Sequence, residues 1–559
     1  MLLKVNTQGI ILVLISFVCK PAVCRADSEK LLVHLNSGAV LGKEDIDENN
    51  NVFYSFLGVP YAEPPIGHLR FQPPVPKLPW DSILHATKEG PPCPQMAIFT
   101  NEFIGQEDNC LILNVYTPKI PVEGDDKKLD VLFHIHGGGF ILGSGGSDMY
   151  GPRRLMQEDK NIIIVSINYR LSVLGFLSTE DASSWGNYGL LDQVEALRWV
   201  HNNIDRFGGD PKRVTIIGES AGGASVSYLT LSPLTKGLFH RAIAMSGSAL
   251  STWASQREPL HWAKTVAKSV GCPHEDTKAL IQCLRQKDAK ELIENDMSTV
   301  QGLIHMVFTP TVDHHFILDT PYNIITQKRY NIVPMMAGVT KDEGDIWFKL
   351  SRRNPDDFDD KGVSESLATL FASVPDTANV VKLVKEKYLP SVTKLTLDEI
   401  HQQLSKIATD IFHQDHYLTV KKMAATGTPV YVYSYDYKTK AKGIESILNI
   451  KEDLGVYHSS ELVMIFESLF TGGLQHGLDL EVQKRLQNLF VNFAISGVPT
   501  IEGDDPSWPS SKSDEINVYH INSVDHVAVH DETKDEYYKF WTEDVPATIA
   551  KTIRPKDEL

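Results

Sequence analysis

The sequence predicts an α/β fold: a mixed, mostly parallel central sheet flanked by helices, with helical cap insertions over it. Short β-rich apolar runs alternate with helical periodicity along most of the chain. One of those runs also ends in a glycine-bounded turn that enters a small-residue helix start at once. The strand candidates, in order, are Val131 to Ile135, Ile162 to Ile167, Val214 to Ile217, Ala242 to Met245, Val333 to Val339 and Val430 to Tyr433. Leu190, Val194, Leu197, His201 and Ile204 recur at helical spacing, and Gly208-Gly209 stops that helix. The regions Gln256 to Gln327 and Asn354 to His416 read as mainly helical and supply the caps. A boundary near residue 355 is an alternative to one continuous unit, although no linker marks it.

The turn is Gly218-Glu219-Ser220-Ala221-Gly222, entered from Val214-Thr215-Ile216-Ile217 and left through Gly223-Ala224-Ser225. A strand, a Gly-x-Ser-x-Gly turn and a helix form a nucleophile elbow. Small flanking residues let the serine backbone take a strained conformation with its hydroxyl presented. The helix start aims N–H groups at charge developing beside it. The plain alternative is a glycine-rich turn with an incidental serine.

Composition sets the setting for that turn. The 559 residues are 42% hydrophobic and 22% charged, which suits a large folded core, and the formal charge of −17 argues against nucleic acid as a partner. Lys4, the apolar run Ile10 to Val18 and Cys24-Arg25-Ala26 read as a secretory signal over residues 1–26. The run is short for a bilayer span, so an N-terminal anchor is the weaker alternative. No later segment approaches a transmembrane span. Cleavage leaves Cys93, Cys110, Cys272 and Cys283. An even count in a secretory protein suggests two disulfides rather than four free thiols. Sequence-local pairing, Cys93–Cys110 and Cys272–Cys283, is the simplest of the three connectivities, each worth about 2–3 kcal/mol in a chain-entropy view. No Cys-x-x-Cys spacing suggests a metal. The last four residues, Lys556-Asp557-Glu558-Leu559, form an endoplasmic-reticulum retention address read by a retrieval receptor. The organisation expected is therefore a signal (1–26), one catalytic domain (27–555) and a retention tail (556–559), with the protein in the lumen of the endoplasmic reticulum or, alternatively, secreted. No Asn-x-Ser/Thr sequon occurs, so no N-glycan is expected.

A serine hydroxyl needs a base, the base needs an orienting acid, and the oxyanion needs donors placed beforehand. In α/β-hydrolases the chain order is serine, acid, histidine. The donor loop is His136-Gly137-Gly138-Gly139-Phe140, at the end of the run Val131 to Ile135. A glycine loop can also cradle phosphate, but neither phosphate pattern is present there. Periodicity does not fix the acid or the histidine, because many candidates follow Ser220.

The chain resembles type-B carboxylesterases with an α/β-hydrolase fold, in pattern closest to those of insects, a group that includes mammalian liver carboxylesterases and cholinesterases. The resemblance covers nearly the whole mature chain. It rests on Tyr54 to Ala62, Glu107-Asp108 near Cys110-Leu111, the glycine loop, Asn168-Tyr169-Arg170, Gly186 to Leu190 and the elbow. It implies a serine esterase of small-molecule carboxylic esters with no metal or organic cofactor. Ser220 is then the nucleophile. Glu343, in Asp342-Glu343-Gly344, is the orienting acid, and His458, in Gly455-Val456-Tyr457-His458, is the base. Gly138, Gly139 and Ala221 supply the oxyanion N–H groups. Glu219, Ser246 and Glu461 match residues supporting the triad, with ordinary buried hydrogen bonding as the alternative. Trp253 matches an acyl-pocket wall, with a large core residue as the alternative. The family's two local disulfides match the pairing above.

Two departures narrow the substrate. Cholinesterases carry a cation-binding tryptophan about ten residues before the Glu-Asp-Cys cysteine. Here that region is Met96-Ala97-Ile98-Phe99-Thr100, and Asn109 is inserted before Cys110. Juvenile-hormone esterases typically carry glutamine where this chain has Glu219. The expectation is a broad-specificity esterase for apolar esters, in detoxification or lipid-ester metabolism. A hormone or pheromone esterase is the alternative, and a non-catalytic adhesion-type member the remote one.

Overall fold

The computed structural model describes residues 31–552 apart from 98–99, 123, 125–126, 158–160, 297–298, 301–302, 305, 347–358, 372–376, 442–449, 451–452, 469–476, 501–507, 523–526 and 532–536. The expected signal and retention tail lie outside the described residues.

Eleven strands form one central sheet: β1 (Lys43–Ile46), β2 (Val52–Pro60), β3 (Ile112–Thr117), β4 (Leu129–Ile135), β5 (Ile162–Ile167), β6 (Gly209–Glu219), β7 (Arg241–Met245), β8 (Met335–Thr340), β9 (Val430–Tyr435), β10 (Asn517–Ile521) and β11 (Val527–Asp531). Their order across the sheet is β11-β10-β9-β8-β7-β6-β4-β5-β3-β2-β1. Neighbours from β5 to β10 are parallel, and β1, β2, β3 and β11 join antiparallel. The sheet is thus the mixed, mostly parallel one the sequence predicts. Each of the six strand candidates forms a strand, within a few residues at the ends. β8 begins at Met335 rather than Val333. Pro334 has no N–H for the ladder, and its carbonyl instead accepts from Ala242 N at 3.1 Å.

The continuous apolar runs are explained by burial on both faces. Val131, Phe133 and Ile135 of β4 and Val165 and Ile167 of β5 enter one core, while Leu132 and Ile164 enter the other. Helices cover both sides: α1 (Tyr188–Asn203), α2 (Ala221–Leu231), α3 (Asp360–Leu370), α4 (Thr377–Tyr388), α5 (Leu397–Ala424) and α6 (Gly477–Ser496). α1 tightens into a 3₁₀ turn at Ile204–Phe207 and stops at Gly208, φ +88°, as its sequence requires. The region expected to be helical to His416 continues to Ala424, because α5 starts from a capping box of Thr396 and Glu399 and stays apolar on its inner face. Among the described residues Cys93–Cys110 and Cys272–Cys283 are the disulfides formed. A buried bidentate pair, Arg170 Nη2 to Asp192 Oδ1 at 2.7 Å and Arg170 Nε to Asp192 Oδ2 at 2.8 Å, locks the Asn-Tyr-Arg turn after β5 onto α1.

Candidate active site

Parallel strands place their carboxyl ends on one edge of the sheet, and the site forms in the loops there. β6 ends at Glu219, and Ser220 follows with φ 57° and ψ −123°, a sparsely populated conformation for a non-glycine residue. Its N–H donates to Met245 O at 2.8 Å, and Ala221 is the first residue of α2. The second elbow glycine is required by close approach. A Cβ at Gly222 would sit 2.1 Å from Ile135 O, so any side chain would push α2 away from β4. Ser220 itself is 5% exposed.

Glu343 stands three residues beyond β8. Its Oε1 accepts from Ser246 Oγ at 2.5 Å and from Thr340 N at 2.8 Å. Its Oε2 accepts from His458 Nδ1 at 2.5 Å. The two loops are tied by Asp342, whose Oδ2 accepts from Val456 N at 2.8 Å and whose N–H donates to Val456 O at 3.0 Å. Gly455 is glycine for the same reason: its φ is +61°, and a Cβ would lie 2.4 Å from Asp342 Oδ2. The conspicuous glycine of Gly-x-x-His thus lets acid loop and histidine loop touch.

The glycine loop lies against the serine. A Cβ at Gly137 would meet Ser220 Cβ at 3.2 Å and Glu219 O at 2.7 Å. Gly138 and Gly139 follow at φ +104° and +61°. On the far side Met306 closes in, its Sδ 3.1 Å from a Cβ placed on Gly139.

Three buried carboxylates surround His458. Its Nε2 is 3.1 Å from Glu219 Oε1, and that oxygen also accepts from Ser459 Oγ. Glu461 is fully buried at the start of a short helix, and neither carboxylate oxygen has a hydrogen-bond partner among the described residues. Burial, together with the charges of Glu219 and Glu343, pushes its pKa well above the carboxylate range, which favours the neutral form. Burial would lower the His458 pKa, but Glu219 and Glu343 outweigh it and raise it from 6.5 to about 9. Burial works to raise Glu343, yet the His458 charge and the bonds from His458, Ser246 and Thr340 bring it below its ordinary value.

A base must be neutral to accept a serine proton, so with His458 in that role kcat/KM is expected to rise with pH through its titration. Glu219→Gln removes one of the two carboxylates that favour the cation. The acid limb of kcat/KM should therefore move to lower pH, making the variant relatively more active near neutrality; a limb that stays in place would show that Glu219 does not set the base.

An aromatic wall adjoins the histidine. Trp253 is buried, with Phe412 at 5.5 Å and Phe140 at 6.4 Å between ring centroids, and Phe412 reaches His458 at 4.8 Å. Sequence reading missed Phe412 and Met306. Phe412 is one apolar residue of a long amphipathic helix, and Met306 lies in a stretch without periodicity, so neither carries a local signal. Among the described residues no cluster of His, Cys, Asp or Glu could hold a metal ion, and no helix is long and apolar enough to cross a membrane.

A serine at an elbow, a histidine bonded to a buried carboxylate and a glycine loop beside the serine are together the site of a serine hydrolase on an α/β-hydrolase fold. A family model described as "Carboxylesterase family" matches residues 29–541, and the chain belongs to that family. It is 35% identical over 546 residues to Liver carboxylesterase 1 of Mus musculus, spanning 92% of this chain and 93% of that protein. It is 34% identical over 528 residues to Esterase E4 of Myzus persicae (91% and 94%) and 33% identical over 507 residues to Juvenile hormone esterase of Tribolium castaneum (85% of each). The protein is a carboxylic ester hydrolase acting on small-molecule esters.

Proposed function

We propose that Ser220, His458 and Glu343 hydrolyse uncharged, apolar carboxylic esters of broad structure through an acyl-enzyme. The observation that carries this reading is the 2.5 Å His458–Glu343 contact beside the elbow serine and glycine loop. Ser220 Oγ attacks the ester carbonyl carbon as His458 Nε2 takes its proton. The oxyanion receives N–H groups from Gly138, Gly139 and Ala221. Collapse breaks the ester C–O bond, and His458 returns the proton to the departing alcohol. A water molecule, deprotonated by His458, then attacks the acyl carbonyl; the acyl C–Oγ bond breaks, His458 returns the proton to Ser220 Oγ, and the acid leaves. Glu343 holds the imidazole with Nδ1 protonated and stabilises its cation, and Ser246 holds Glu343. Glu219 adjusts the base, while Glu461 supplies a neutral buried carboxyl behind it. Trp253, with Phe412, gives the acyl group an apolar aromatic wall, which favours uncharged acyl chains over polar ones.

The test is a kcat/KM profile over esters of graded acyl and alcohol length, with a choline ester and the Ser220→Ala variant included. Broad cleavage of uncharged aryl and aliphatic esters with poor choline-ester turnover is expected. The match to Juvenile hormone esterase favours one second reading, a specialised hormone or pheromone esterase. Such an ester suppressing aryl-ester turnover at far lower concentration than simple esters would establish it. We place the enzyme in the endoplasmic reticulum lumen, retrieved through Lys556 to Leu559 after the 1–26 signal is removed and the 27–555 domain has folded. Deleting the four terminal residues should release it into the medium; a distribution unchanged by that deletion refutes retention.

A further inference from the structure

At Gly143 the glycine loop is held by the side-chain amide of Gln95. After β4 the chain turns back at Gly138, whose carbonyl accepts from the N–H groups of Ile141 and Leu142, both at 3.0 Å. The returning limb passes over the outgoing one at Gly143. There φ is +113°, and a Cβ would lie 2.4 Å from His136 Nδ1 and 2.6 Å from Gly137 O. The backbone of Gly143 therefore lies close against His136 and Gly137, the start of the glycine loop. Both peptide groups of Gly143 go to Gln95: Gly143 N donates to Gln95 Oε1 at 2.7 Å, and Gln95 Nε2 donates to Gly143 O at 2.8 Å. Gln95 is 4% exposed, and its Nε2 also donates to Cys93 O at 3.0 Å.

Gln95 follows Cys93 by two positions, inside the loop closed by Cys93–Cys110. That loop is stiff. Gln95–Met96 pairs with Phe103–Ile104, Gln106 N donates to Pro92 O at 3.0 Å, and Arg70 Nε donates to Glu107 Oε1 at 2.6 Å. We propose that Gln95 is a positioning residue for ester hydrolysis, passing the rigidity of the Cys93–Cys110 loop through Gly143 to the oxyanion glycines. The inference rests on the reading of Gly138 and Gly139 as oxyanion donors. Its chemical basis is that a side-chain amide presents a donor and an acceptor side by side, the complement of the C=O and N–H of one residue. Without that partner the partly buried Gly143 groups lose both bonds, and the loop is free to move.

The experiment uses the full-length protein with Gln95→Met, which keeps the volume without the amide, and Gln95→Glu. Gln95→Met should lower kcat about 10- to 100-fold, the scale of a misplaced catalytic group, with KM nearly unchanged. Affinity for a trifluoromethyl ketone, whose adduct with Ser220 carries an oxyanion, should fall in step with kcat/KM. Gln95→Glu adds a readout that packing alone would not move. A neutral carboxyl can donate to Gly143 O and accept from Gly143 N, but a carboxylate can only accept. The variant-to-native ratio of kcat/KM should therefore fall as pH rises through that carboxyl's titration, and this ratio decides the matter if Gln95→Met does not fold. A flat ratio, or a loss carried in KM with kcat and ketone affinity intact, overturns the clamp. Ser220→Ala separates the two failures: if it stays active, the site reading itself is wrong, whereas an inactive Ser220→Ala beside unimpaired Gln95 variants refutes the clamp alone.

Discussion

Replacing Ser220 by alanine is expected to lower kcat by about 10⁶-fold and to abolish labelling by an organophosphate, with the fold retained. The size follows from what is lost. Without Oγ there is no acyl-enzyme, and the imidazole of His458 has no proton to move. What remains is binding and the oxyanion donors acting on bulk water, which in such sites leaves only a small residual acceleration. The substitution deletes one oxygen at a buried elbow whose backbone is fixed by Met245 O and by the start of α2, so circular dichroism and Tm should stay near native values. A variant that still takes the label would move the nucleophile elsewhere and undo the assignment of the whole site.

The second large effect is expected at Glu343. Glu343→Gln keeps the shape and should lower kcat by about 10⁴-fold, because it inverts the histidine tautomer. The argument is one of donors. Ser246 Oγ and Thr340 N both donate to Oε1, so the amide oxygen must occupy that place. The amide nitrogen then faces His458 Nδ1 and can only donate to it. Nδ1 becomes the acceptor, the ring proton moves to Nε2, and Nε2 no longer serves as a base toward Ser220. A loss below about tenfold would show that Glu343 does not orient the base, since loss of such an orienting acid is costly wherever it acts. Ser246→Ala supplies the complement. With Oγ gone the amide is held less firmly, so the double variant should recover part of the activity lost in Glu343→Gln.

How much of this was legible in the residues depended on whether a residue's role was local. The six strand candidates could be read because both sheet faces are buried, which leaves continuous apolar runs between turn signals. The elbow could be read because its whole pattern lies within five residues of chain, where a Cβ at Gly218 would lie 2.5 Å from Gly222 O. Glu343 and His458 could not be told from other acids and histidines by periodicity. Only the resemblance singled them out, and the structure supplies the physical link in Asp342, which bridges two loops more than a hundred residues apart. Trp253 was named, but its neighbour Phe412 was invisible on a helix whose every turn carries apolar residues. Gln95 was also invisible. A glutamine near a cysteine has no signature, and its partner Gly143 lies 48 residues away.

α5 has a consequence for how the molecule can be cut and repaired. One continuous rod carries Phe412 against His458, His413 against Thr340 O at 2.8 Å, His416 against Ala244 O at 3.1 Å, and Thr409 Oγ1 accepting from Gly344 N at 2.9 Å. The same rod holds Asp410, which accepts from Tyr388 OH at 2.6 Å, while Tyr388 OH accepts from Trp541 Nε1 at 2.6 Å. The aromatic neighbour of His458, the support of the Asp342–Gly344 loop and the docking point of the last described helical turns are therefore a single mechanical part. A chain truncated before Trp541 would lose the Trp541–Tyr388–Asp410 link to this rod, although it would keep Ser220, Glu343 and His458.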